Sequence, residues 1–197
     1  LAVAEVYEMR LERIDDAITE YTQMHQFEPR ELRALKGLER LHAQRENWQE
    51  LFSVLEREYE LVATDKERVS ILSRLAAMLE EEFIKPERAA ERLEQVLEID
   101  LNNEPALRGL ERLYRNLQRW DALISTYERH VTATPDRAQK IECYSAIGDV
   151  YAGELNDADR AIDAFLNILA IDGNNARALA ALTGLYEKRE DHSQALE

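Results

Sequence analysis

Apolar residues recur along this chain at the three- and four-residue spacing of one helical face, in short runs parted by turn residues. Leu35, Leu38 and Leu41 make one such stripe, and Leu51, Val54 and Leu55 make the next. Between runs lie Phe27-Glu28-Pro29, Asp100-Leu101-Asn102-Asn103, Ala133-Thr134-Pro135 and Asp172-Gly173-Asn174-Asn175. Pro or Gly there stops one helix, and Asp, Asn or Thr caps the next; Thr64-Asp65 does the same further back. The pattern predicts helix nearly throughout, folded back on itself in antiparallel amphipathic pairs.

The pattern also repeats. Ala34-Leu35-Lys36-Gly37-Leu38-Glu39-Arg40-Leu41 returns 72 residues later as Ala106-Leu107-Arg108-Gly109-Leu110-Glu111-Arg112-Leu113, with a single exchange. It returns again, more worn, as Ala178-Leu179-Ala180-Ala181-Leu182-Thr183-Gly184-Leu185. Trp48 and Trp120 keep the same separation, as do Ala17-Ile18, Ala89-Ala90 and Ala161-Ile162. A fixed period of this kind means stacked copies of a small unit rather than one globular core.

Each 72-residue copy is itself double. Tyr7, His42, Leu79, Tyr114, Tyr151 and Tyr186 are spaced 35, 37, 35, 37 and 35 apart. A small or compact apolar residue follows each one after nine or ten positions: Ala17, Leu51, Ala89, Leu123, Ala161 and Ala195. Four positions later comes a second large residue, at Tyr21, Leu55, Leu93, Tyr127 and Phe165. A large residue on the first helix of a pair is expected to fill the gap left by a small one on the second. The odd-numbered pairs carry one additional residue between their helices, as in Ala152-Gly153-Glu154-Leu155-Asn156-Asp157.

Helix pairs of this length, with this large–small–large order and a closing Pro, resemble tetratricopeptide repeats, and long bacterial arrays with a paired repeat look similar. The resemblance covers essentially the whole chain, as about five and a half repeats near 1–29, 30–64, 65–101, 102–135, 136–173 and 174–197. It is closest where Ile147-Gly148-Asp149-Val150-Tyr151 is followed by Asp159-Arg160-Ala161-Ile162-Asp163-Ala164-Phe165. It implies an all-α, right-handed α-solenoid whose first helices line a concave groove that holds a partner peptide or helix. Leu1 begins partway through a first helix and Glu197 stops partway through a second. The chain therefore reads as a piece of a longer array, or one whose end faces associate.

Carrying the groove-lining positions over residue by residue gives two basic stripes. The second repeat presents Arg33, Lys36, Arg40 and Gln44, and the fourth presents Arg108, Arg112, Arg115 and Asn116. The third and fifth instead present Ser70, Ser73, Ala77 and Glu80, then Glu142, Ser145 and Asp149. A planar guanidinium can hold a carboxylate by two parallel hydrogen bonds, so these stripes suit an acidic peptide. The plainer reading pairs the same cations with Glu39, Glu80, Glu111, Glu142 and Asp149 in exposed ion pairs worth about 0–1 kcal/mol each. The carboxylate clamp of chaperone-binding relatives is broken: Lys36 and Arg74 fit two of its places, but Arg40 and Ser70 do not fit theirs.

Composition narrows the partners. With 25 basic and 40 acidic residues the formal charge is −15, which argues against a nucleic-acid backbone as partner. No apolar run approaches a membrane span. The one cysteine, Cys143, leaves no internal disulfide or Cys-based zinc site and fits a reducing, cytoplasmic setting. Glu142 beside it hinders thiolate formation. His25, His42, His130 and His192 are scattered without ligand spacing, so no metal or other cofactor is expected, and His42 reads as a satisfied packing residue. Glu56, Glu58, Glu60 and Glu80-Glu81-Glu82 read as solvated helix face. Trp48 and Trp120, which open second helices, read as core, whereas Tyr59 and Tyr144 are freer to meet a partner. No Gly-rich phosphate loop, nucleophile turn or ligand cluster is present, so no enzyme is expected. A protein–protein interaction scaffold follows, with a structural spacer that self-assembles into homo-oligomers through its end faces as the alternative.

Overall fold

A computed structural model describes residues 2–9 and 13–194, without the side chains of Met9 and residues 190–194. Ala195, expected as a small core residue, lies outside the described residues, and so does the side chain of His192. Among the described residues there are eleven helices and no strand. The chain falls into two compact units, 1–99 and 100–197.

The first unit holds α1 (Ala2–Met9), α2 (Ile14–Phe27), α3 (Leu32–Gln44), α4 (Trp48–Leu61), α5 (Asp65–Glu81) and α6 (Pro86–Ile99). The second holds α7 (Glu104–Asn116), α8 (Trp120–Ala133), α9 (Arg137–Gly153), α10 (Ala158–Ile171) and α11 (Ala176–Gln194). Within each unit every helix packs on the one before and the one after it. Connections of three or four residues leave no choice but antiparallel neighbours. The fold class is therefore all-α, built from helix hairpins.

The starts of the helices follow the turn chemistry. Thr64 and Glu67 make a reciprocal capping box at α5, and Asn103, Asp136 and Asp157 accept the first free N–H groups of α7, α9 and α10. Asn175 does the same for α11 through the Ala178 N–H. Inside each hairpin, a backbone N–H beyond the turn donates to the carbonyl of the large residue that marks the repeat. Asn47 donates to His42 and Arg119 to Tyr114, five residues back; Arg13 to Tyr7, Lys85 to Leu79 and Asp157 to Tyr151, six back. The extra residue of the odd-numbered pairs is thus absorbed inside this one hydrogen-bonded loop. Glu46, Ile84, Gln118 and Asn156 take positive φ between 51° and 56°, and the first and third, like the second and fourth, are 72 residues apart. None is glycine, and only Asn156 has a side chain that commonly tolerates that conformation.

Packing repeats with the sequence. Ala34, Leu35, Leu38 and Leu41 are buried in the first unit, and Ala106, Leu107, Leu110 and Leu113 in the second. Each fully buried leucine contributes about 1.5–3 kcal/mol of apolar transfer. The ring of Tyr21, from α2, lies so close over Gly37 of α3 that a methyl there would stand 2.6 Å from it. Phe165, from α10, lies over Gly148 of α9 in the same way, at 2.7 Å. The small partner of these second-helix rings is therefore a glycine on a first helix, a contact beyond the expected large-on-first, small-on-second arrangement.

Four expectations need correction. Tyr186 is 44% exposed and Leu179 is 46% exposed, although their counterparts Tyr114 and Leu107 are buried. Among the described residues α11 packs chiefly on α10, and Leu179 and Tyr186 lie on a part of its surface that no described residue covers. Trp48 and Trp120 are half-buried at the first positions of α4 and α8, not core. Glu58 is not solvated: its side chain is wholly buried. His42 is buried, but its Nδ1 has no hydrogen-bond partner.

Replacing Gly37 with Ala will cost about 1–3 kcal/mol in urea unfolding, because the wedged Tyr21 ring must move. Gly184→Ala meets nothing within 4 Å and will stabilise by up to about 1 kcal/mol through helix propensity. Equal effects at the two sites would contradict the packing described.

Candidate protein-interaction site

The two basic stripes fall in separate units and meet different surroundings. In the first unit the cations are engaged by their own chain. The Lys36 ammonium donates to Glu39 at 2.8 Å and to Glu58 at 2.6 Å, and Arg74 also pairs with Glu39. Arg40 grips Glu8 with two guanidinium nitrogens at 2.5 and 2.7 Å, and the Tyr21 hydroxyl donates to the same carboxylate at 3.0 Å. Arg33 forks onto Glu31, at 3.0 and 3.1 Å. Gln44 is exposed. The pairing reading was right in kind, but Glu8, Glu31 and Glu58 do most of it rather than the carboxylates nearest on the helix faces.

These pairs differ in strength. Arg33 and Glu31 lie at the surface, and the exchange of such a pair for solvent costs little. Lys36 cannot leave so cheaply, because it would strand the Glu58 carboxylate, which is 0% exposed and has one oxygen, Oε1, already without a partner. Burial pushes Glu58 up to about 7, against the pull of Lys36 and with a push from Glu39. Burial also presses upward on Glu39, but hydrogen bonds from Lys36 and Arg74 outweigh it and hold that carboxyl below its ordinary value. Arg40 holds Glu8 below its ordinary value too.

In the second unit Arg108, Arg112, Arg115 and Asn116 are exposed on α7. Arg108 pairs with Glu104 one turn back, at 2.6 and 3.0 Å, both side chains being more than half exposed. Arg115 donates to the Tyr127 hydroxyl of α8. Arg108 and Arg115 flank a cavity of about 240 Å³ where α7, α8 and α9 meet, floored by Tyr127, His130, Gln139, Cys143 and Ala146. Glu111 and Glu142 stand at its rim. Cys143 is buried; desolvation, Glu111 and Glu142 push its thiol up to about 12, so it is no nucleophile. Tyr59 and Tyr144 are half-buried. Sequence reasoning missed Tyr127, His130 and Gln139 as lining residues, since they lie on helices outside the basic stripe.

Residues 106–141, which span most of α7, all of α8 and the start of α9, match the family model of the tetratricopeptide repeat. The chain carries a tetratricopeptide repeat. Residues 34–69, 72 residues earlier, share the sequence pattern of the matched pair. That fold is one of protein–protein interaction scaffolds in general. No curated protein matches the sequence. Solved structures with similar helix stacking include YrrB, described as a TPR protein with an unusual peptide-binding site, at 16% identity over 90% of this chain and 87% of that one, with a TM-score of 0.49. A MamA structure is 18% identical over 89% and 97%, with a TM-score of 0.49. BtubC from P. vanneervenii is 16% identical over 95% and 86%, with a TM-score of 0.47. At these values none of them bears on what this tetratricopeptide array binds. Among the described residues no helix is long and apolar enough to cross a membrane.

The Glu58 carboxyl gives a pH test with a definite sign. Its folded value lies above the ordinary 4.5, so its contribution favours the fold below that value and is lost as pH rises through about 7. Relative to the parent, Glu58→Gln will gain about 2 kcal/mol between about pH 5 and about pH 8 in urea unfolding. Taking the difference cancels the buried His42, whose value burial lowers and whose effect has the opposite slope. A pH-independent difference would contradict the assignment.

Proposed function

We propose that this chain is a non-catalytic protein-interaction scaffold that takes an acidic peptide or helix of a partner protein on the first-helix face of its second unit. The observation that carries this reading is the exposed row of Arg108, Arg112 and Arg115 on α7 beside the α7–α9 cavity. An incoming carboxylate can replace Glu104 on Arg108, because both members of that pair are solvated and the exchange is nearly neutral. The partner's backbone and side chains then bury against Tyr127 and Gln139. Arg33 offers an exposed cation in the first unit, whereas Lys36 is bound to a buried carboxylate and Arg40 to Glu8, so those two and Gln44 play a secondary part. Nucleic acid is no partner in this reading, given a net charge of −15. In this reading the scaffold works in a reducing, cytoplasmic setting, which its single buried free cysteine supports.

Fluorescence anisotropy with labelled peptides bearing acidic C-terminal tails tests the reading. Binding is expected to weaken in high salt and to fall at least about tenfold in Arg108→Glu with Arg112→Glu, with helical content unchanged by circular dichroism. Arg33→Glu is expected to change it far less. Affinity indifferent to both α7 reversals would overturn the assignment of this face.

A further inference from the structure

The 72-residue repeat allows the same spot to be compared in the two units. In the first unit it holds Lys36, Glu39, Glu58, Ile71 and Arg74; in the second, Arg108, Glu111, His130, Cys143 and Ala146. In the first unit two cations fill it: the Lys36 ammonium sits between Glu39 and Glu58, and Arg74 closes on Glu39. In the second unit no cation bridges the corresponding groups: Arg108 turns to Glu104 at the rim, and Ala146 stands where Arg74 would be. What remains is the cavity of about 240 Å³, with Arg108 and Arg115 at its edge and no cation bound between its inner donors.

The donors left behind are not those of an ordinary ion pair. Glu111 from α7, His130 from the last turn of α8 and Cys143 from α9 bring one carboxylate oxygen, one imidazole nitrogen and one sulfur within 4.8 Å of one another. His130 Nδ1 is 2.6 Å from Glu111 Oε1, while its Nε2 is buried with no hydrogen-bond partner. His130 is 95% buried, Cys143 is buried, and Glu111 is half-buried. Spacing along the chain could not show this, because the three residues come from three helices and only one of them is a cysteine.

We propose that Glu111, His130 and Cys143 form a binding site for one divalent, thiophilic transition-metal ion, zinc being the reference, which takes the place held by cations in the first unit. One imidazole, one thiolate and one carboxylate form the mixed N, S and O set that suits zinc. On binding, the Cys143 S–H bond breaks, its proton leaves to solvent, and a metal–sulfur bond forms. A thiolate and a carboxylate then neutralise the two charges of the ion. Zinc's bond lengths of about 2.0–2.3 Å place tetrahedral ligands roughly 3.5 Å apart. Side-chain rotation must therefore part the 2.6 Å contact between His130 Nδ1 and Glu111, or turn Nε2 to the ion, with the sulfur already within 4.8 Å. The fourth position faces the cavity and is left to water or an arriving ligand. The ion would pin α7, α8 and α9 together.

The test uses the purified chain with cobalt(II) chloride, then zinc(II) chloride as competitor. One cobalt ion per chain is expected, with a thiolate-to-cobalt charge-transfer band in the near ultraviolet that zinc abolishes. Cys143→Ala is expected to lose the band and the stoichiometric binding while keeping its helical content. Ala146→Arg leaves all three ligands in place but restores the guanidinium of the first unit, and is expected to weaken cobalt binding at least about tenfold. Zinc should raise the thermal midpoint of the parent and not that of Cys143→Ala. Absence of the band in the parent, binding undiminished in Cys143→Ala, or full affinity in Ala146→Arg would each overturn the proposal. Because no peptide is present, the result is independent of the scaffold reading.

Discussion

Among the described residues no helix can cover its own apolar stripe alone; within each unit each is covered mainly by the helix before and the helix after it, with side-chain contacts reaching one helix further. That constraint governs the rest. It requires short antiparallel connections, hence the recurrent hydrogen bond from beyond each turn back to the carbonyl of the large repeat residue. It requires close approach, hence Tyr21 on Gly37 and Phe165 on Gly148. It also leaves exposed any apolar residue that no described helix covers, as at Leu179 and Tyr186. On the first helices the buried leucines carry the packing, and the residues opposite them, such as Arg108, Arg112 and Arg115, stay at the surface.

Charge then divides the two units. The same place in the repeat is closed in one by Lys36 and Arg74 on Glu39 and Glu58, and is open in the other as the cavity among α7, α8 and α9. The closed version spends its cations internally, around a carboxylate that burial keeps costly to ionise. The open version leaves Arg108 and Arg115 at the rim with a histidine and a thiol beneath. Two exchanges, Arg74 to Ala146 and Glu58 to His130, account for most of that difference. Duplicated units with matching cores can thus carry unlike surfaces.

Much of the architecture was legible in the residues. Apolar spacing around Leu35, Leu38 and Leu41 marked a buried face, and Thr64 and Asn103 marked where helices begin. The basic residues of α7 were legible as an exposed row for the same reason, since they lie opposite Leu107, Leu110 and Leu113. Other features were not. Glu58 looked like a surface glutamate because its burial depends on Lys36, 22 residues away. Glu46, Ile84 and Gln118 adopt a left-handed backbone that their side chains do not favour, so only the geometry of the turn discloses it. Glu111, His130 and Cys143 share no spacing rule; their meeting is a property of three packed helices.

The most direct test of the account is residue-resolved NMR of the labelled chain during titration with an acidic-tailed peptide. Chemical-shift changes concentrated on Arg108, Arg112, Arg115, Tyr127 and Gln139, with α3 nearly silent, are what the account predicts. Changes centred on Arg33, Lys36 and Arg40, or spread evenly over both units, would contradict it.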